Sequence, residues 1–424
     1  MSAPPLTDRE TRVVKAVDEA GLLEALRELV AIESWNGRET PAQNLMARWM
    51  AEADLKVDEW TIDSRKLEGH PGFFTEIPRK DPRGLVGTLD GEGEGPSLIL
   101  NGHVDVVPPG DPDLWTHPPF EAVEKEGRVY GRGALDMKGP LLAALFALRA
   151  IQSEGVRLRG RVFLESVVGE EDGGMGTLAT LLRGYSAEGA VVMEPTGLVV
   201  APALGGALSF RVRVPGQSAH GCVRYEGVSA IDNFIPLYRA VQELETRRNA
   251  RLGSDTLFSD YPIPFPISVG TIQGGDWASS VPDHLAFEGR FGVAPGEDLA
   301  QARQELVEAV RTAASGDPWL REHPPLVEWW GQQFEPAAIS AGHPLISTVT
   351  GAFAAVEKKE TRLQGMTYGA DMGLLVNHGG IPTVLFGPGD IRNAHQPDEY
   401  VEVSELMAAA RTLAVAAMRF CGVT

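Results

Sequence analysis

Apolar residues recur at helical spacing over residues 8–33, where Val14, Val17, Leu22, Leu23, Leu26, Leu29 and Val30 share a face, and again over 41–54. A stretch rich in glycine, proline and charge, roughly 63–84, predicts a long loop. Beyond it the pattern alternates between strand and helix. Leu98–Leu100 reads as a short strand core ending at Asn101 and Gly102. Pro140–Ile151 reads as a helix, Arg161–Val168 as a strand, Met175–Leu182 as a helix and Ala190–Met193 as a strand. That order predicts a parallel sheet covered by helices.

The period changes after about residue 203. LSFRVRVPGQSAHG alternates apolar and polar, as a strand with one solvated face does. A helix over 229–248, strands at 267–272 and 284–293, a helix at 298–314 and a strand at 326–330 complete a small antiparallel α+β domain. The first pattern then resumes, with helices at 345–356 and 372–378, a strand at 382–386 and a final amphipathic helix at 404–420. The expected fold class is α/β. A three-layer catalytic domain with a mostly parallel sheet, residues 1–203 and 333–424, is interrupted by an inserted α+β domain over 204–332.

Composition narrows the function. With 43% hydrophobic and 23% charged residues the chain has an ordinary globular balance. A net charge of −20 and the lack of any basic run argue against nucleic acid. No apolar run reaches the length of a membrane span, so no membrane partner is expected; GPLLAALFALRAI reads instead as a buried helix. MSAPPLTDRE lacks the basic-then-apolar order of a secretory leader. Two cysteines, Cys222 and Cys421, make a disulfide framework unexpected and a reducing cytoplasm the expected location.

Five possible metal ligands fall where strand patterns run out: His103, Asp136, Glu171, Glu194 and His395. Imidazole with carboxylates suits zinc or a similar divalent ion. His103 and Asp105, two apart, allow the carboxylate to accept a hydrogen bond from the ring nitrogen that faces away from a metal. Asp136, in GRGALDMKG, is either a helix cap or a carboxylate able to bridge two ions. Glu170 stands beside Glu171 at a strand end, so one can bind metal while the other acts as a general base. His220, in SAHG, is either a plain strand-end histidine or a donor to a developing oxyanion. Cys222 follows it by two residues, but no third group for Cys–His catalysis is identifiable.

GHVDVVP, GRGALDMKG, GEEDGGMGT, MEPT, SAHG, VPD and GPGD…AHQPDEYV occur in an order that resembles the M20 metallopeptidase family, over about residues 85–420. The resemblance implies a zinc-peptidase-like catalytic domain with a lid domain through which the chain forms a homodimer. It implies two divalent metal ions, zinc with cobalt or manganese as alternatives. His103, Asp136 and Glu194 would hold one, and Asp136, Glu171 and His395 the other. Asp105 would orient His103, Glu170 would be the general base, and His220 the lid histidine. The bond after Asp136 is expected to be cis. The implied activity is removal of an acyl group from a small N-acylated amine or amino acid, as in acetylornithine deacetylase. A formylaminopyrimidine deformylase is an alternative, as is a dipeptidase or carboxypeptidase using Arg224 or Arg290 to hold a substrate carboxylate. From another class, a non-catalytic metal-stabilised binding protein would keep the same fold. Ser279 stands where relatives often have Asn, which weakens any claim of their usual substrate contact there.

Overall fold

The computed structural model describes residues 4–252 and 255–424, so the first three residues of MSAPPLTDRE lie outside the described residues. The chain divides into two compact units. One runs up to Ala203 and takes in Ala338–Gln364 and Ala370–Thr424; the other comprises Leu204–Ala337 and Gly365–Gly369.

The first unit is built on a six-stranded sheet. Its spatial order is Lys56–Thr61, Arg83–Leu89, Val162–Val167, Leu98–His103, Gly189–Val192 and Thr383–Leu385. The pairings among the last four strands are parallel, and the first two strands add antiparallel at one side. Leu98–His103 is buried along its whole length, as a central strand covered by helices must be. The helix Lys138–Ser153 buries 13 of its 16 residues, among them Leu141, Leu142, Leu145, Phe146 and Leu148. Full burial of such side chains stabilises by about 1.5–3 kcal/mol each before entropy is charged. It packs against Leu98–His103 and against the long final helix Val403–Cys421.

Three differences from the sequence expectation have physical causes. The periodic stretch 8–33 is two helices, Asp8–Ala16 and Glu19–Val30, because Val17 is extended and Asp18 accepts a hydrogen bond from the Gly21 amide to start the second. The strands Lys56–Thr61 and Arg83–Leu89 carry little strand signal: the first is charged and half-exposed, the second holds two glycines. Those glycines are required by packing, since a Cβ on Gly84 would meet the Trp60 ring at 2.2 Å and one on Gly87 would meet Met50 Sδ at 2.9 Å.

The second unit is a four-stranded antiparallel sheet in the order Ile267–Gly274, His284–Val293, Gly206–Pro215 and Leu326–Phe334. The helices Ala230–Leu252 and Leu299–Ser315 cover it. Leu208, Phe210, Val212 and Val214 point into a separate core with Leu237, Val241, Phe287 and Leu306, the alternation read from LSFRVRV. Among the described residues no helix is long and apolar enough to cross a membrane.

Candidate metal centre

Register brings the ligand candidates together. In the parallel pairings His103 lies opposite Val167, and Asn101 opposite Val192. Glu170 and Glu171, just past Val167, and Glu194, just past Val192, therefore emerge at the same edge of the sheet as His103. Leu385 also pairs with Val192, so the loop carrying His395 leaves at that edge too. Ligand sites form at the C-terminal ends of parallel strands for this reason. Asp136 arrives from the turn before the helix Lys138–Ser153, and its bond to Met137 is cis.

Asp136 sits between the two histidines. Its Oδ1 lies 3.1 Å from Nε2 of His103 and its Oδ2 3.3 Å from Nε2 of His395. The His103 Nε2 also has Glu194 Oε1 at 3.8 Å and Glu170 Oε2 at 3.9 Å. The His395 Nε2 has Glu171 Oε2 at 3.1 Å. Two overlapping clusters result, one of His103, Glu170 and Glu194 and one of His103, Asp136 and Glu171. All are buried or nearly so except His395, whose side chain is half-exposed.

The donor chemistry fits divalent cations. Nδ1 of His103 donates to the main-chain carbonyl of Asp105 at 2.8 Å, and a carbonyl only accepts. In the neutral ring, Nε2 then presents a lone pair to three carboxylates, an arrangement that requires a positive species between them. Oε1 of Glu194 is buried with no hydrogen-bond partner among the described residues. Burial raises Glu170, Glu171 and Glu194 above the ordinary carboxylate range, with neighbouring carboxylates adding to it. The charge of Glu171 lifts His395 to about 11 against its burial. Burial alone would depress His103, but the hydrogen bond with Asp136 and the charges of Asp105, Glu170 and Glu194 carry it well upward.

Asp105 departs from the expectation in one detail. Its carboxylate Oδ1 is 3.8 Å from His103 Nδ1, so the ring is oriented by the main-chain carbonyl of the same residue. Its Oδ2 instead accepts the Glu171 amide at 3.0 Å, tying one ligand loop to the other. Seven of the eight expected site residues lie in the first unit. His220 lies in the second, exposed, its Nδ1 accepting the Cys222 amide at 3.2 Å. Arg224, also there, forms an exposed pair with Asp232 at 3.5 Å. Arg290 is largely enclosed and donates to the Thr367 carbonyl, and burial lowers its pKa.

Sequence reasoning passed over Glu399 and Arg132, although both stand inside quoted motifs. Glu399 is fully buried; its Oε1 accepts the amides of Gly133, Leu135 and Asp136 at 2.8, 3.1 and 3.2 Å, and its Oε2 meets Arg132 Nη1 at 2.5 Å. The signal was one of two adjacent acids in AHQPDEY and a single base in GRG, which only the fold reveals as a pair.

The profile of Peptidase family M20/M25/M40 matches residues 99–419. The N-formyl-4-amino-5-aminomethyl-2-methylpyrimidine deformylase of Bacillus subtilis is 30% identical over 389 residues, covering 86% of this chain and 85% of the relative. A probable succinyl-diaminopimelate desuccinylase of Staphylococcus aureus is 26% identical over 405 residues, covering 90% and 92%. Among solved structures, a tripeptidase from Staphylococcus aureus superposes with a TM-score of 0.73 at 22% identity, covering 95% of this chain and 99% of that one.

Proposed function

The chain belongs to peptidase family M20/M25/M40, a hydrolase acting on amide bonds, and from that premise we propose that it deacylates a small N-acylated amine with two divalent ions. The observation that carries the reading is the carboxylate of Asp136 set between two histidines, with Glu170 alongside but outside that pair. His103, Asp136 and Glu194 would hold one ion and Asp136, Glu171 and His395 the other. Zinc suits this mixture of imidazole and carboxylate, with cobalt or manganese as substitutes. Such ions supply Lewis acidity and make water acidic near neutral pH.

The chain's own residues do the rest. Glu170 takes the proton of the attacking water on its carboxylate and returns it to the leaving amine nitrogen. Asp105 and the Glu171 amide keep the two ligand loops in register. His220 donates to the oxyanion, and the second unit serves as lid and dimerisation domain of a cytoplasmic homodimer. Its exposed Tyr225, Trp277 and Ile272 are apolar side chains that such an interface would cover.

For the acyl group, formyl is favoured, since the deformylase relative stands at 30% identity over most of both chains. The test is release of primary amine by zinc- or cobalt-loaded protein and by a metal-free control. The panel holds a formylaminopyrimidine, acetylornithine, succinyl-diaminopimelate and simple dipeptides. Metal-dependent turnover of the formyl compound alone supports the full reading. Turnover of dipeptides alone would replace it with a peptidase, and Arg290 would then be the first residue to test as a carboxylate anchor.

A further inference from the structure

The strand Val162–Val167 runs into three consecutive acids, Glu170, Glu171 and Asp172. The first two face the metal centre described above; the third does not. Asp172 turns onto Arg79, which comes from the glycine- and proline-rich segment that the sequence marked only as a loop. Arg79 Nη2 lies 2.7 Å from Asp172 Oδ1, and Nη1 lies 3.1 Å from Oδ2. The same guanidinium donates from Nε to Glu39 Oε1 at 3.1 Å, and the side chains of all three residues are at most 5% exposed.

Asp172 Oδ2 is further held by the Thr75 hydroxyl and by the amides of Glu76 and Ile77, at 2.9, 2.9 and 2.8 Å. The loop is seated closely on this segment at both ends. Gly169 has φ +73°, and a Cβ there would lie 3.0 Å from Arg79 Cζ; Gly173 has φ +136°, and a Cβ there would lie 2.7 Å from the Phe74 carbonyl oxygen. Three adjacent like charges at a strand end repel one another. Drawing the third away onto a bidentate guanidinium fixes the peptide planes before it, and with them the directions of Glu170 and Glu171.

We propose that Arg79 is a positioning residue of the metal centre, which through Asp172 holds Glu171 in place as a ligand and Glu170 in place to carry the proton. The inference rests on the roles given to Glu170 and Glu171 above. A purely structural ion pair would fasten the segment around Arg79 to the unit without bearing on what the two glutamates do, and the experiment separates the two.

Arg79→Lys keeps the charge but loses the fork that spans Glu39 and Asp172. Three readouts are taken on this variant: binding of cobalt(II) by titration and visible absorption, hydrogen exchange of peptides covering 168–176, and kcat with KM. The expected result is about a tenfold or greater loss of affinity for one of two cobalt ions, in the range usual for groups that support ligands. Exchange should rise at 168–176 and stay unchanged at 98–103. kcat should fall by about tenfold or more with KM within about twofold.

Thr75→Val removes a single hydroxyl from Asp172 and should show smaller changes in the same direction. It decides the matter if Arg79→Lys does not fold. Folded variants with unchanged cobalt affinities and unchanged exchange at 168–176 would overturn the proposal. Should no substrate of the panel turn over while cobalt binding and exchange respond as stated, the positioning role of Arg79 stands and the substrate reading falls alone.

Discussion

Glu399 accepts the backbone amide of Asp136 at 3.2 Å with the same oxygen that accepts those of Gly133 and Leu135. The residue that faces both histidines is thus held from behind by a buried carboxylate. Its other oxygen is neutralised by Arg132, itself 2% exposed. Removing one partner of such a pair leaves a buried charge uncompensated, which typically costs about 3–5 kcal/mol. Glu399→Ala should therefore lower the free energy of unfolding by that order, read from urea denaturation of the metal-free protein. A loss below about 1 kcal/mol, the range of exposed pairs, would contradict this account of the turn.

Asp136 is the residue shared by both proposed metal positions. Asp136→Ala should reduce bound zinc from two ions per chain to fewer than one, counted by elemental analysis after gel filtration. Glu194→Ala and His395→Ala, each touching one position, should each leave about one. Retention of two ions by Asp136→Ala would contradict the bridging assignment.

Beneath the site, Asn101 Nδ2 donates to Glu165 Oε2 at 3.0 Å and to Thr177 Oγ1 at 2.9 Å, and Thr177 donates to Asp371 Oδ2 at 2.5 Å. Burial pushes the Glu165 carboxyl up to about 7, opposed by the Asn101 hydrogen bond and aided by the charge of Asp371. A carboxyl raised in the folded state binds its proton more tightly there than in the unfolded chain. Its contribution is full below the unfolded value and is lost as pH rises through about 4.5 to 7. Glu165→Gln mimics the protonated form. It should match the parent protein in stability at pH 5 and exceed it by about 1–3 kcal/mol at pH 8. Equal stability of the two proteins at both pH values would show that this carboxyl does not titrate in that window.

The gathering of the candidate ligands was legible in the sequence because His103, Glu171 and Glu194 stand at or just past strand ends, which can be read from a change of period, whereas Asp136 stands in the turn before a helix. His103, Glu171, Glu194 and the His395 loop needed only the parallel order to meet. The groups behind them were not legible. Arg79 and Glu39 belong to segments with no periodicity of their own, and Glu399 and Arg132 are about 270 residues apart, joined only by the fold. The His103 hydrogen bond shows the same boundary: residue spacing identified Asp105, but not whether its carboxylate or its carbonyl would meet the ring. Of the two added strands of the first unit, Lys56–Thr61 was missed because it is charged and half-exposed, and Arg83–Leu89 because Gly84 and Gly87, which its packing demands, are the residues that strand propensity penalises.

Chelation tests the electrostatic argument at the centre. With His103, His395 and four carboxylates gathered in one place, metal that binds the folded chain alone stabilises it by mass action. Adding zinc at a thousandfold excess over its dissociation constant should raise stability by about 4 kcal/mol, seen as a higher Tm than in chelator. An unchanged Tm would mean that the cluster does not bind the ion.

The central claim, that Glu170 handles the proton while its neighbours hold the ions, is tested most directly by Glu170→Ala. Metal content and amine release from the best substrate of the panel are measured on the same preparation. The account predicts two ions per chain, as in the parent protein, with turnover reduced by about 10²–10⁴-fold, the span of general acid–base catalysis. Undiminished turnover with both ions bound would contradict it.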